Sequence, residues 1–119
     1  MELKPHGFAQ DERLKKSVQF ALVRKSGKKA GSRHLAVYIL ANDTGKTRLG
    51  LAVSSAVGNS VERNRIKRLV REFFRLNKDT FPQSMDLLVT VRSGAGAALS
   101  VYKTVEQELE AALKTVRRP

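Results

Sequence analysis

The sequence predicts an α+β fold, a two-layer sandwich in a single domain covering residues 1–119. Three observations carry that reading. A long amphipathic helix lies mid-chain, three stretches of alternating residues surround it, and a further amphipathic helix closes the sequence. The alternating stretches share a uniformly aliphatic face, which must be buried against helices. A length of 119 residues with 41% hydrophobic content supports one modest core. No repeat or second domain is visible.

Residues 1–12, with Pro5 and Gly7 among scattered polar groups, read as an irregular arm. A short helical pattern follows over 13–25, with Ser17 as candidate N-cap and Leu14, Val18, Ala21 and Leu22 along one side. Phe20 points away from that stripe, one turn before Arg24, and is either a second packing contact or a ring offered to a ligand. Gly27 and Gly31, among Lys25, Lys28, Lys29 and Arg33, read as a basic loop. The first strand, His34–Leu40, sets Leu35, Val37 and Ile39 against Ala36, Tyr38 and Leu40. After the turn residues Asn42–Gly45, Arg48–Ser54 sets Leu49, Leu51 and Val53 against Arg48, Gly50, Ala52 and Ser54. Asp86–Arg92 repeats the scheme, with Leu87, Val89 and Val91 against Leu88, Thr90 and Arg92.

The central helix opens from the turn Gly58-Asn59-Ser60, and Ile66, Leu69, Val70, Phe73 and Asn77 share one face. Asn64, Lys67, Arg68, Arg71, Arg75 and Lys78 fall on the opposite arc. Solvated helix faces usually mix signs and gain from acid–base pairs one turn apart. Here the acid on the helix body is Glu72, placed to pair with Arg68. Crowded like charges destabilise the fold unless something neutralises them, so the patterning favours a polyanion over a merely solvated face. Arg63 lies near the apolar arc and either caps the turn or reaches a partner. Beyond the helix, Phe81-Pro82 reads as a loop and Ser93–Ala98 as a flexible connection. Ser100 then caps a last helix with Tyr102, Val105, Leu109, Ala112 and Leu113 at helical spacing.

The whole-chain charge agrees with the helix. Lys plus Arg number 23 against 11 Asp plus Glu, a net charge of +12, which makes nucleic acid the first partner and an anionic membrane surface the second. There is no cysteine for disulfides, thiolate chemistry or zinc. No apolar run approaches the ~18 residues a membrane helix needs, and the first residues lack a signal-peptide core, so a cytoplasmic protein is expected. His6 and His34 sit in no triad or metal-ligand spacing. Gly94 and Gly96 lack the lysine and serine of a phosphate-binding loop. Catalysis by this chain alone is not expected. The second sheet face, with small residues, Tyr38, Arg48 and Arg92, leaves two readings open: a shallow groove for an extended nucleic-acid strand, or a solvated face with Tyr38 in a cross-strand pair.

The stretch from Ala56 to Glu72, with Arg63-Asn64-Arg65 followed by Lys67-Arg68, resembles the signature of the bacterial ribonuclease P protein component. Arg13-Leu14-Lys15-Lys16 leading to Phe20, the strand around Val37-Tyr38, and Arg48-Leu49-Gly50-Leu51-Ala52-Val53-Ser54 match in order and spacing, so the similarity spans roughly residues 13–92. The resemblance implies the order α-β-β-β-α-β-α with a left-handed β-α-β crossover through the central helix (ribosomal protein S5 domain 2-like). It also implies an extra strand between Lys28 and Arg33.

In function, the resemblance implies a subunit of the ribonucleoprotein endonuclease that removes the 5′ leader from precursor tRNA. Its catalytic centre and magnesium ions would belong to the large RNA, with no cofactor bound by the protein and no obligate protein partner. By position, Arg63, Asn64, Arg65, Lys67, Arg68, Arg71 and Arg75 would contact the catalytic RNA. Phe20 and Tyr38 would line the leader cleft, to which the face composition adds Arg24, Arg48 and Arg92. Arg24 stands where relatives often carry a second aromatic, and Ser54-Ser55 where lysines are common. The competing reading is a ribosomal or RNA-chaperone protein, which rests on charge and size alone.

Overall fold

The computed structural model describes residues 13–14, 17–78, 81 and 84–117. The arm expected over 1–12, Lys15-Lys16 and Pro82 lie outside the described residues. The elements run α1 (Ser17–Ser26), β1 (Lys28–Gly31), β2 (Leu35–Ala41), β3 (Arg48–Ala52), α2 (Ser60–Leu76), β4 (Met85–Val91) and α3 (Tyr102–Arg117). The four strands form one mixed sheet in the order β1-β2-β4-β3. β1 with β2 and β2 with β4 are antiparallel, while β3 and β4 are parallel and joined through α2. That parallel pair is the β-α-β unit the resemblance implies.

Alternation decides which side of the sheet carries the main core. Leu35, Val37, Ile39, Leu49, Leu87 and Val89 are buried beneath Ile66, Val70, Phe73 and Phe74 of α2 and Val105, Leu109, Ala112 and Leu113 of α3. Phe81, read from sequence as a loop residue, is a core anchor. Its ring stacks on Phe74 at 5.0 Å between centroids and meets Phe73 edge-on at 6.3 Å. Truncating a buried ring of this kind costs about 3–5 kcal/mol.

On the other face, α1 lies across β2 and β4 and closes a smaller cluster of Leu14, Val23 and Leu88, edged by Phe20, Tyr38, Leu40 and Ala52. This reverses the stripe expected for α1. Val18 is 74% and Leu22 53% exposed, whereas Val23 is fully buried and Phe20 half-buried. Leu14 does reach the core, but from outside the helix: its N–H donates to the Leu49 carbonyl, beside a bridge between Arg13 and Leu49. Gly50 sits beneath this contact, where a Cβ would lie 2.8 Å from Leu14 Cδ1 and 3.1 Å from Phe20 Cζ. The missing side chain of Gly50 is what lets the α1 layer settle onto β3.

Three local expectations change. Residues 28–31 form the strand that the resemblance implies, not the loop read from the residues alone, because pairing with β2 supplies what the sequence pattern lacks: only Ala30 of the four is buried. The last helix begins at Tyr102, and the Ser100 hydroxyl donates to the Ala97 carbonyl at 2.8 Å instead of capping. Ser93–Ala98 is not loose, since Ala95 and Gly96 are buried within it.

Candidate nucleic-acid interface

Two surfaces bring the predicted residues together, and the first is the outer face of α2. Its start is fixed by a capping box: the Asn59 side chain accepts the Glu62 N–H at 2.8 Å, and Glu62 Oε1 accepts the Asn59 N–H at 3.1 Å. The apolar stripe anchors the helix, so the cationic residues are presented on a rigid rod. Asn64 and Arg68 are exposed and Lys67 is half-exposed, and none of the three makes a hydrogen bond or ion pair among the described residues. Glu72 does not pair with Arg68 as its spacing suggested. Its carboxylate faces Arg75, whose Nε donates to it at 3.2 Å. Arg75 is thereby partly neutralised, while Arg68 keeps its full charge.

The two arginines of the Arg63-Asn64-Arg65 element are held by main chain. Arg63 Nε donates to the Gly58 carbonyl at 3.1 Å, so it braces the turn, and Arg65 Nε donates to the Ser100 carbonyl. Arg71 is half-buried near Arg13. Burial, and then the neighbouring charge of Arg13, lower its pKa from the ordinary guanidinium value. From Arg63 to Arg75 the rod covers about 18 Å at 1.5 Å per residue.

The second surface is an open groove of about 500 Å³ on the α1 side of the sheet, lined by Arg24, Tyr38, Ala52, Val53, Ser54, Thr90 and Val91. Phe20 is not among the lining residues; it packs over Gly50, beside the small cluster that Tyr38 and Ala52 also edge. Lys29 Nζ lies 5.6 Å from the centre of the Tyr38 ring, within cation–π range. Sequence reasoning missed Lys29 as part of this surface, because its position opposite Tyr38 exists only once β1 pairs with β2.

Two residues assigned to the groove stand elsewhere. Arg48 forms a two-pronged ion pair with Asp86, both contacts at 2.8 Å, and is held at the far end of β3 from Ala52. The hydrogen bonds that Arg48 donates to Asp86 raise the Arg48 pKa from its ordinary value. Arg92 is exposed beyond the groove, with Nη2 directed at the Ser32 carbonyl at 3.4 Å. Where the groove ends at Ser54, the chain turns through a Val57-to-Ser54 backbone hydrogen bond straight into the start of α2. Only residues 55–59 separate the groove lining from the start of α2.

The ribonuclease P family model matches residues 8–117. The chain belongs to the ribonuclease P protein family. It is 40% identical over 86 residues to the ribonuclease P protein component of Syntrophus aciditrophicus, covering 72% of each chain. With that of Desulforapulum autotrophicum it shares 42% over 87 residues, 73% of this chain and 74% of the relative. Among solved structures, the Staphylococcus aureus RNase P protein superimposes with a TM-score of 0.79 at 32% identity, covering 89% of this chain and 95% of that one. The Thermotoga maritima RNase P protein gives 0.78 at 32%, with 90% and 99% covered. The family thus accounts for the whole α-β-β-β-α-β-α body, including the last helix.

Proposed function

We propose that this chain is the protein subunit of the ribonuclease P ribonucleoprotein, which docks the catalytic RNA on α2 and receives the 5′ leader of precursor tRNA in the groove. The observation that carries the reading is the short connection after Ser54, which joins a groove with one aromatic ring and flanking cations to the helix that carries Arg63-Asn64-Arg65. Single strands bind such platforms by stacking bases on a ring while cations follow the backbone. Cations on the outer arc of α2 neutralise phosphates and release counterions. Endonucleolytic removal of the leader, leaving the mature 5′ end of tRNA, is then promoted by positioning.

The magnesium ions of the reaction are assigned to the RNA subunit. Four of the described acids are already engaged by the protein. Asp86 is consumed by Arg48 and Asn42, Glu108 by Ser32 and His34, Glu62 by the capping box and Glu72 by Arg75. Among the described residues no three potential ligands converge on one point.

The test is reconstitution. Adding the full chain to the large RNA at low magnesium should raise precursor tRNA cleavage and tighten precursor binding. No change in either, under conditions where the RNA alone is weak, refutes the reading.

A further inference from the structure

Ser93–Ala98 is a glycine- and alanine-rich run, yet its middle is buried. Ala95 and Gly96 are buried, and Leu99 is fully enclosed. The Gly94 N–H donates to the Ala56 carbonyl and the Gly96 N–H to the Val57 carbonyl, each at 2.9 Å. The connection between β4 and α3 is thus laid along the segment that leads into α2. A Cβ on Gly96 would stand 2.9 Å from the Val57 carbonyl oxygen and 2.8 Å from Glu62 Oε1. Only a glycine lets these two backbones meet while Glu62 keeps its capping position.

At its far end the same connection holds Arg65, whose Nε–H is accepted by the Ser100 carbonyl. That carbonyl is itself steadied, since the Ser100 N–H and hydroxyl both donate to Ala97 O, at 3.3 and 2.8 Å. A guanidinium is planar with five donors, so fixing Nε fixes the direction of the remaining fork. The Nη groups of Arg65 make no other hydrogen bond or ion pair among the described residues, and the side chain is exposed. Arg68, one turn on, has no such restraint.

We propose that the β4–α3 connection is a positioning element of the RNA-docking surface: Gly96 and the Ser100 carbonyl hold the first turns of α2 and aim the Arg65 fork outward at an RNA phosphate. This rests on α2 being the docking face. A side chain already held in its bound geometry loses less freedom on association, an effect of about 2- to 10-fold in affinity.

A double-mutant cycle on the full chain tests it, read as affinity for the large RNA of ribonuclease P at fixed salt and below every variant's melting temperature. Gly96→Ala should weaken binding by about 2- to 10-fold. Arg65→Ala should cost much less in the Gly96→Ala background than in the wild type, while Arg68→Ala costs the same in both. Additive effects of Gly96→Ala and Arg65→Ala overturn the proposal, because a general loss of structure would not single out Arg65. If neither Arg65→Ala nor Arg68→Ala weakens binding, the docking reading itself fails and takes the proposal with it. Should Gly96→Ala not fold, nitrogen-15 NMR of the wild-type protein decides. Arg65 is expected to give a distinct, slowly exchanging Nε–H resonance while that of Arg68 is averaged by exchange, and an averaged Arg65 signal overturns the proposal.

Discussion

Replacing Arg48 with methionine separates a structural arginine from an RNA-binding one. Asp86 is 4% exposed and accepts three hydrogen bonds, one from Asn42 Nδ2 at 2.7 Å and two from Arg48 at 2.8 Å. Arg48→Met removes two of the three and leaves a buried carboxylate with one neutral partner. Breaking a buried pair from one side costs about 3–5 kcal/mol, because the remaining charge is uncompensated. Against a total stability of about 5–15 kcal/mol, that is a large fraction. For a chain of this size each kcal/mol shifts the melting temperature by roughly 4 °C, so a fall of about 12–20 °C is expected.

The double variant Arg48→Met with Asp86→Leu should recover most of that loss, since an apolar pair of similar volume replaces the ions. Thermal denaturation gives the stability, and gel shifts with precursor and mature tRNA, performed well below the lowered melting temperature, give the function. The ratio of the two tRNA affinities should not change, because Arg48 is turned into the ion pair and away from the groove. A lost preference for precursor tRNA with an unchanged melting temperature would refute the argument and return Arg48 to the leader site.

Other outcomes follow from the same geometry. Tyr38→Ala should weaken precursor tRNA by about 1–3 kcal/mol, the worth of one stacking platform, and leave mature tRNA nearly untouched in the same gel-shift assay. Gly50→Ala pushes a methyl group toward Leu14 and Phe20. It should destabilise the fold by about 1–3 kcal/mol in denaturant titrations, with a weaker leader affinity where Phe20 is displaced. Arg68→Ala, which removes a cation with no partner among the described residues, should lower the slope of log affinity against log salt by about one for the catalytic RNA.

Glu108 predicts a pH effect. Burial alone would raise its carboxyl, but hydrogen bonds from the His34 ring, the Ser32 hydroxyl and the His34 N–H outweigh burial and hold it below 4.5. A depressed carboxyl adds stability that is complete above the unfolded value and is lost as pH falls through the folded one. The stability gap between wild type and Glu108→Gln should therefore close as pH drops below 4.5. Denaturant midpoints between about pH 7 and pH 3 measure it, and a gap independent of pH contradicts the assignment.

Local periodicity encodes only what neighbouring residues can carry. The two sides of α2, the aliphatic face shared by three strands, and the Arg63-Asn64-Arg65 element were legible because each depends on residues within a few turns or along one strand. Features with a distant partner take shape only in the packed fold. β1 has one buried side chain and becomes a strand by pairing with β2. Phe20 and Val23, not Val18 and Leu22, face inward because α1 is turned by the sheet it rests on, where Gly50 leaves room for Phe20. Arg48 belongs to Asp86, 38 residues away, and Lys29 meets Tyr38 across a hairpin. The brace from Gly94 to Ser100 looks like a linker in one dimension. It acquires meaning only where its backbone meets Ala56 and Val57, since hydrogen bonds between main chains leave no signature in side-chain pattern.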